Sequence, residues 1–185
     1  MNIERYSDEI RHAERTPLLY RMSVEQYRTA ITAGVYPPKL RAELLEGYVL
    51  QRLPTGSPHA YTLGCLTDFL HERVAGRFVI GSQAPVELSA FSRPEPDAYL
   101  ARPPRSSYAT TDPTPSDLVL VCEVAQSSIN FDKGGKKETY AAGAVSEYWV
   151  LDVSARAVTV YTEPRPDGTF ASEVDYVFGD TFEHD

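Results

Sequence analysis

Cysteine, histidine, positive charge and long apolar runs are all scarce in this 185-residue chain, and each scarcity closes a class of function. The two cysteines, Cys65 and Cys122, lie in apolar settings without C-x-x-C spacing. They give neither a disulfide framework nor a zinc site and suit a reducing cytoplasm. His12, His59, His71 and His184 show no ligand spacing, and no Gly-x-Ser-x-Gly elbow is present, which leaves little support for a zinc or serine hydrolase. No stretch approaches about eighteen apolar residues, and the opening segment MNIERYSDEIRHAERTPLLYRM is charged throughout. The expectation is no signal peptide and no membrane span. A formal net charge of −8 argues against coating nucleic acid by bulk electrostatics, which needs Lys and Arg facing phosphates. It leaves room for an enzyme that meets phosphate through a divalent cation and surrounds that cation with carboxylates.

What is present is an ordinary globular composition, 42% hydrophobic and 24% charged, in a length that fits one domain over 1–185. Its core is expected over about 20–162, with an N-terminal extension over 1–19 and a C-terminal strand and tail over 163–185. Ser23, Gln26 and Gly34 bracket an amphipathic stretch as a capping box and a glycine stop, predicting a helix over about 24–33. AELLEGYVLQRLP alternates about Glu46-Gly47 and reads as a hairpin. Ser57 and Pro58, followed by Leu63, Leu66, Phe69, Leu70 and Val74 at helical spacing, predict the longest helix, ending at Gly76. RFVIG, APVELS and PDAYLAR suggest a strand meander, and 103–117 a polar loop. A strand over 118–124, a helix over about 131–143 and the strands EYWVLD, AVTVYT and ASEVDYVFG complete the chain. The order predicts an α/β (α+β) domain with a mixed central sheet flanked by helices.

One position resists a purely structural reading. LVLVC, 118–122, is what a strand covered on both faces looks like, yet Glu123 follows it. An ionised carboxylate there must be paired, metal-bound or neutralised to escape a cost of several kcal/mol. Asp97 follows Pro96 at the start of another short strand, and Asp132, Lys136 and Tyr140 recur every four residues, on one face of the next helix. Two carboxylates on neighbouring strands plus a lysine form a minimal kit for metal-assisted phosphodiester hydrolysis. So close a pair would also repel in the metal-free protein. The competing readings are structural: Pro-Asp as a turn, and Lys133, Lys136 and Lys137 as a solvated helix face with a surface Asp132–Lys136 pair. His59 reads as a structural histidine near a helix start, Tyr140 as packing, and Tyr148 and Trp149 as sheet core or interface.

EPDAYLA, LVCEVAQSS, a helix with Lys, and EYWVLD, in that order, with AELLEGYVL and PTGSPHA before them, resemble the Uma-two family of restriction-endonuclease-like proteins. That family is a branch of the PD-(D/E)XK nuclease superfamily, and the resemblance spans about 20–160. It implies a restriction-endonuclease-like fold and a Mg²⁺- or Mn²⁺-dependent endonuclease acting on DNA. Asp97 matches the Asp of the PD element and Glu123 the Glu of the second element, both as metal ligands. Glu43 matches the N-terminal acidic ligand, with Glu46 as a neighbouring competitor. Ala125 stands where many superfamily members have Lys, and the resemblance assigns that basic role to Lys136. Gln126, Ser127 and Ser128 replace the family's Ser-Pro-Ser. A homodimer is expected, because cutting both strands of a duplex needs two sites. The alternative is a non-catalytic nuclease fold that binds nucleic acid or a protein partner.

Overall fold

The computed structural model describes residues 19–37, 39–52, 54–74, 76–177 and 179–180. The expected extension over 1–19 and the end of the C-terminal tail therefore lie almost wholly outside the described residues. Helix α1, Val24–Thr32, begins as its sequence dictates: Ser23 Oγ accepts from the Gln26 N–H, and the Gln26 side chain accepts from the Ser23 N–H. Strands β1, Ala42–Leu45, and β2, Tyr48–Gln51, pair antiparallel. Glu46 and Gly47, at φ 50° and 84°, make the left-handed two-residue turn that such a hairpin favours. Helix α2, Ser57–Val74, follows as expected.

The main sheet has six strands in the order β3, β4, β5, β6, β7, β8. They are Val79–Ser82, Ala98–Ala101, Leu118–Ala125, Glu147–Asp152, Ala157–Pro164 and Phe170–Val177. Only β5 and β6 run parallel; the other pairs are antiparallel. A mixed sheet flanked by helices is thus the observed architecture. The strand at 170–177 is one of its two edges.

Alternation along β5 divides the core. Leu120, Cys122 and Val124 join Leu66, Leu70 and Val74 of α2 on one face, with Ala98, Leu100 and Trp149. Val121 and Ala125 join Tyr99, Tyr140, Tyr148 and Tyr161 on the other. Since side chains alternate across a sheet, Glu123 shares the face of Val121 and Ala125. Ala98 pairs with Cys122 at the end of that ladder, and Asp97, just before it, reaches β5 through its side chain, which accepts from the Val124 N–H.

Two expectations need correction. APVELS is not a ladder strand: 83–97 leaves the sheet at Gln83, φ 48°, and is held by isolated contacts such as Val86 N–H to Pro94 O and Leu88 N–H to Ser92 O. Pro85, Pro94 and Pro96 supply no N–H, so no continuous ladder can form there. The helix expected over 131–143 is broken. A turn at Ile129–Phe131 passes into a wide i to i+5 turn over Asp132–Lys136, with Gly134 outside helical geometry at φ −112°, ψ −108°, and only then into α3, Lys137–Ala142. The Gly134-Gly135 pair has little helix propensity, and wide turns of this kind collect at functional sites. Among the described residues no helix is long and apolar enough to cross a membrane.

Candidate active site

The cleft between β2, the start of α2 and the segment after β5 collects the charged residues that the fold buries. Glu43, Asp97, Glu123, Asp132, Lys136 and His59 all line it and are all at least nine-tenths buried. Glu43 comes from the middle of β1, Asp97 from the approach to β4, Glu123 from β5, and Asp132 and Lys136 from the wide turn.

Two sets of contacts organise them. In the first, Lys136 Nζ donates to Glu123 Oε1 at 2.9 Å and lies 3.3 Å from Glu43 Oε1. Tyr140 donates its hydroxyl to the same Glu123 oxygen at 2.8 Å, and Glu43 Oε2 accepts from the Glu95 N–H at 3.1 Å. In the second, Asp97 Oδ2 accepts from His59 Nε2 and from the Val124 N–H, each at 2.9 Å, while Oδ1 accepts from Arg52 at 3.2 Å. Nε2 is the donor there because an ionised carboxylate only accepts. His59 Nδ1 is buried without a partner. Ser128 donates to Asp132 Oδ2, and Tyr148 to the Asp132 carbonyl.

The electrostatics follow from this crowding. Four carboxyl groups face two cations, Arg52 and Lys136, so full ionisation would leave uncompensated negative charge in a dry place. Burial pushes the Glu123 carboxyl up to about 8; Lys136 opposes the rise, and Asp97, Asp132 and Glu43 reinforce it. Burial also raises Asp132. At Asp97 burial acts upward as well, but the His59 and Val124 hydrogen bonds with the Arg52 charge outweigh it and hold that carboxyl below its ordinary value. Burial works against the Lys136 ammonium, yet Glu123, Glu43 and Asp132 keep its pKa above the ordinary lysine value.

Hard oxygen donors with surplus negative charge fit Mg²⁺ or Mn²⁺ in kind. Among the described residues no three His, Cys, Asp or Glu side chains are arranged so that they could hold a metal ion as they stand. The oxygens a cation would use are held by Lys136, Arg52 and His59, so a cation would have to take them over.

A family model described as "Putative restriction endonuclease" matches residues 24–184. The chain belongs to the Uma2 family. Its fold is also that of a solved structure described as a putative nuclease belonging to DUF820 from Anabaena variabilis ATCC 29413. The two are 12% identical over 88% of each chain, with a TM-score of 0.68. No curated protein matches.

The four residues expected from the Uma2 resemblance, Glu43, Asp97, Glu123 and Lys136, stand together in one cleft. Glu46 does not join them: it sits exposed at the hairpin turn, bonded to Arg21 and Ser92. Lys136 is buried and ion-paired, so the solvated-face reading of that lysine fails, whereas Lys133 is partly exposed near Asp175. Tyr140 is packed and also holds Glu123. Arg52 escaped the sequence reading, since a charged residue just past a strand end looks like ordinary surface; its side chain is only 10% exposed. His59 had a signal, its place at the head of the longest helix, but nothing in the sequence joins it to Asp97, 38 residues on.

Proposed function

We propose that this protein is a Mg²⁺- or Mn²⁺-dependent endonuclease that hydrolyses DNA phosphodiester bonds. The observation that carries the reading is the Lys136 ammonium set between Glu123 and Glu43 in a cleft that Asp97 also lines. Structural ion pairs rarely gather four carboxyl groups around so few cations, because the surplus charge costs stability; sites that recruit a cation do.

In this reading Asp97 and Glu123 hold the metal, with Glu43 as auxiliary ligand. A cation held by these carboxylates would supply Lewis-acid activation of water and charge neutralisation at phosphate. The protein's own residues do the rest. Arg52, His59 and the Val124 N–H keep Asp97 ionised and oriented. Burial biases Glu123 toward its protonated form, and a cation held there would favour the ionised one. Lys136 presents N–H donors at the cleft floor, where they orient the attacking water and stabilise negative charge that grows on the phosphoryl oxygens.

A second reading, a non-catalytic nuclease fold that binds nucleic acid or a protein partner, is favoured by one observation: every candidate ligand already has a protein partner. Incubation with plasmid DNA in Mg²⁺, Mn²⁺ or EDTA, beside an Asp97→Ala control, separates the two. Metal-dependent scission lost in the variant supports the enzyme; equal and negligible scission by both proteins supports the binding module.

Two copies are proposed to act together, so that both strands of a duplex are reached. The edge strand β8, with Val174 and Val177 exposed, is the surface at hand. Light scattering on a size-exclusion column is expected to give twice the chain mass at micromolar concentration. A monomer would leave single-strand nicking. The working compartment in this reading is the cytoplasm, in keeping with two free cysteines.

A further inference from the structure

The cleft's rim carries one side chain that the hydrolytic machinery does not use. Phe131 lines the cleft yet is 42% exposed, in contrast to the carboxylates at the floor. One edge of its ring stands beside Gly135, where an added Cβ would be 3.5 Å from Cε2 and 3.8 Å from Cδ2. The turn that carries it is pinned, for the Phe131 and Asp132 N–H groups donate to the Ser128 carbonyl at 2.8 and 2.9 Å. A single exposed phenylalanine is unremarkable on a protein surface. This one is placed by its own backbone at the mouth of a charged cleft.

Arg52 lines the same cleft. It engages Asp97 at 3.2 Å and Glu95 at 3.4 Å, both longer than the 2.7–2.9 Å or so of a strong charge-assisted bond. A guanidinium has five N–H donors, so a bidentate acceptor such as phosphate can still be met. Among the described residues Lys136 and Arg52 are the only lysine and arginine lining the cleft, and both are sunk in ion pairs. A groove that follows a duplex backbone needs a row of exposed Lys and Arg. The volume of about 520 Å³ is that of a small-ligand pocket.

We propose that the cleft accepts one unstacked nucleotide of single-stranded DNA, with Phe131 as the platform for its base and Arg52 as the fork for its phosphate. The inference rests on the nuclease reading for the identity of the polymer and adds the form in which it enters: of a duplex, each copy of the pair would take one locally unpaired strand. Stacking on an aromatic ring tolerates any base, so the platform selects for an unpaired strand and not for a sequence.

The test is binding by fluorescence anisotropy in EDTA and in Ca²⁺. The probes are a labelled single strand of about ten nucleotides, the same sequence as a duplex, and a base-free deoxyribose phosphate strand. The single strand is expected to bind at least tenfold more tightly than the duplex. Phe131→Ala should weaken it by about 5- to 100-fold, the range of one lost base–aromatic stack, and leave the base-free strand unchanged. Phe131→Trp should restore it. Arg52→Lys, which keeps the charge and loses the fork, should weaken both the single strand and the base-free strand. Equal or tighter duplex binding, or indifference to Phe131→Ala, overturns the proposal. If Phe131 governs single-strand binding while the wild type and Asp97→Ala are equally inert on all DNA, this inference stands and the nuclease reading falls. If Asp97-dependent cutting of duplex occurs and Phe131→Ala changes neither binding nor cutting, the inference falls and the nuclease stands.

Discussion

The Lys136 ammonium donates to Glu123 Oε1 at 2.9 Å with both side chains at most 5% exposed. A lysine so placed is part of the buried charge balance and not a solvated ornament of its helix. Breaking a buried pair by removing one partner costs about 3–5 kcal/mol, because the other charge is left without compensation. Glu123 can escape part of that cost by holding its proton. Lys136→Met is therefore expected to destabilise the metal-free protein by about 3 kcal/mol at pH 8 and by less at pH 5. Urea unfolding at both pH values measures it, and a change within about 0.5 kcal/mol would return Lys136 to the surface class.

Glu123 should make the metal-free protein lose stability as the solution becomes more alkaline. Its folded pKa is raised from 4.5 to about 8, so the folded state binds the extra proton between those values. The contribution is complete below about pH 4.5 and is lost as pH rises through 8, with a slope of at most about 1.4 kcal/mol per unit. Asp97 acts in the opposite sense: its pKa is lowered from 3.8, so its contribution is present above that value and is lost as pH falls through its folded pKa. Melting across pH 5–8 in EDTA should slope downward for the wild type, and Glu123→Gln should flatten the slope. Mn²⁺ affinity, read by calorimetry, should rise over the same interval as the proton leaves.

The sheet and most of its elements were legible because each rests on a local pattern, whereas Glu43 entered the candidate site only through the family resemblance. Ser23 and Gln26 cap their own helix, Glu46-Gly47 turns its own hairpin, and Glu123 is conspicuous against its own strand. What stayed hidden depends on partners distant in the chain. Arg52 and His59 acquire meaning only when Asp97 arrives 45 and 38 residues later. The break at Gly134-Gly135 was visible in propensity, but the four-residue recurrence of Asp132, Lys136 and Tyr140 outweighed it. The wide turn still brings those three inward, so the right face was reached through the wrong helix.

His59 is expected to act on Asp97 through one hydrogen bond. His59→Ala removes the Nε2 donor at 2.9 Å and leaves Asp97 with Arg52 and the Val124 N–H. The loss should be about 1–3 kcal/mol, and Mn²⁺ affinity should change as Asp97 loses one of its three restraints. His59→Gln offers an amide N–H in place of Nε2 and should recover most of both. If Gln and Ala behave alike in melting and in Mn²⁺ titration, the histidine serves packing alone.

The two central carboxylates are expected to respond differently to neutralisation. Like charges crowded into a dry cleft repel, which suggests relief on removal of either. The contacts assign that relief to Glu123. Its carboxyl already resists ionisation, so Glu123→Gln keeps the shape, still accepts from Lys136 and Tyr140, and at pH 8 should leave the metal-free protein as stable or up to about 2 kcal/mol more stable. Asp97 is ionised and accepts from three donors. Asp97→Asn must turn an amide N–H toward one of them, so it should lower stability by about 1–3 kcal/mol. In the nuclease reading both variants lose metal-dependent scission, and Mn²⁺ stabilises neither as it does the wild type. Thermal melting of the three proteins with and without Mn²⁺, beside the plasmid assay, decides it. If both variants melt well below wild type in EDTA and Mn²⁺ shifts none of the three, the carboxylates are structural partners of Arg52, His59 and Lys136, and the metal-dependent reading is lost.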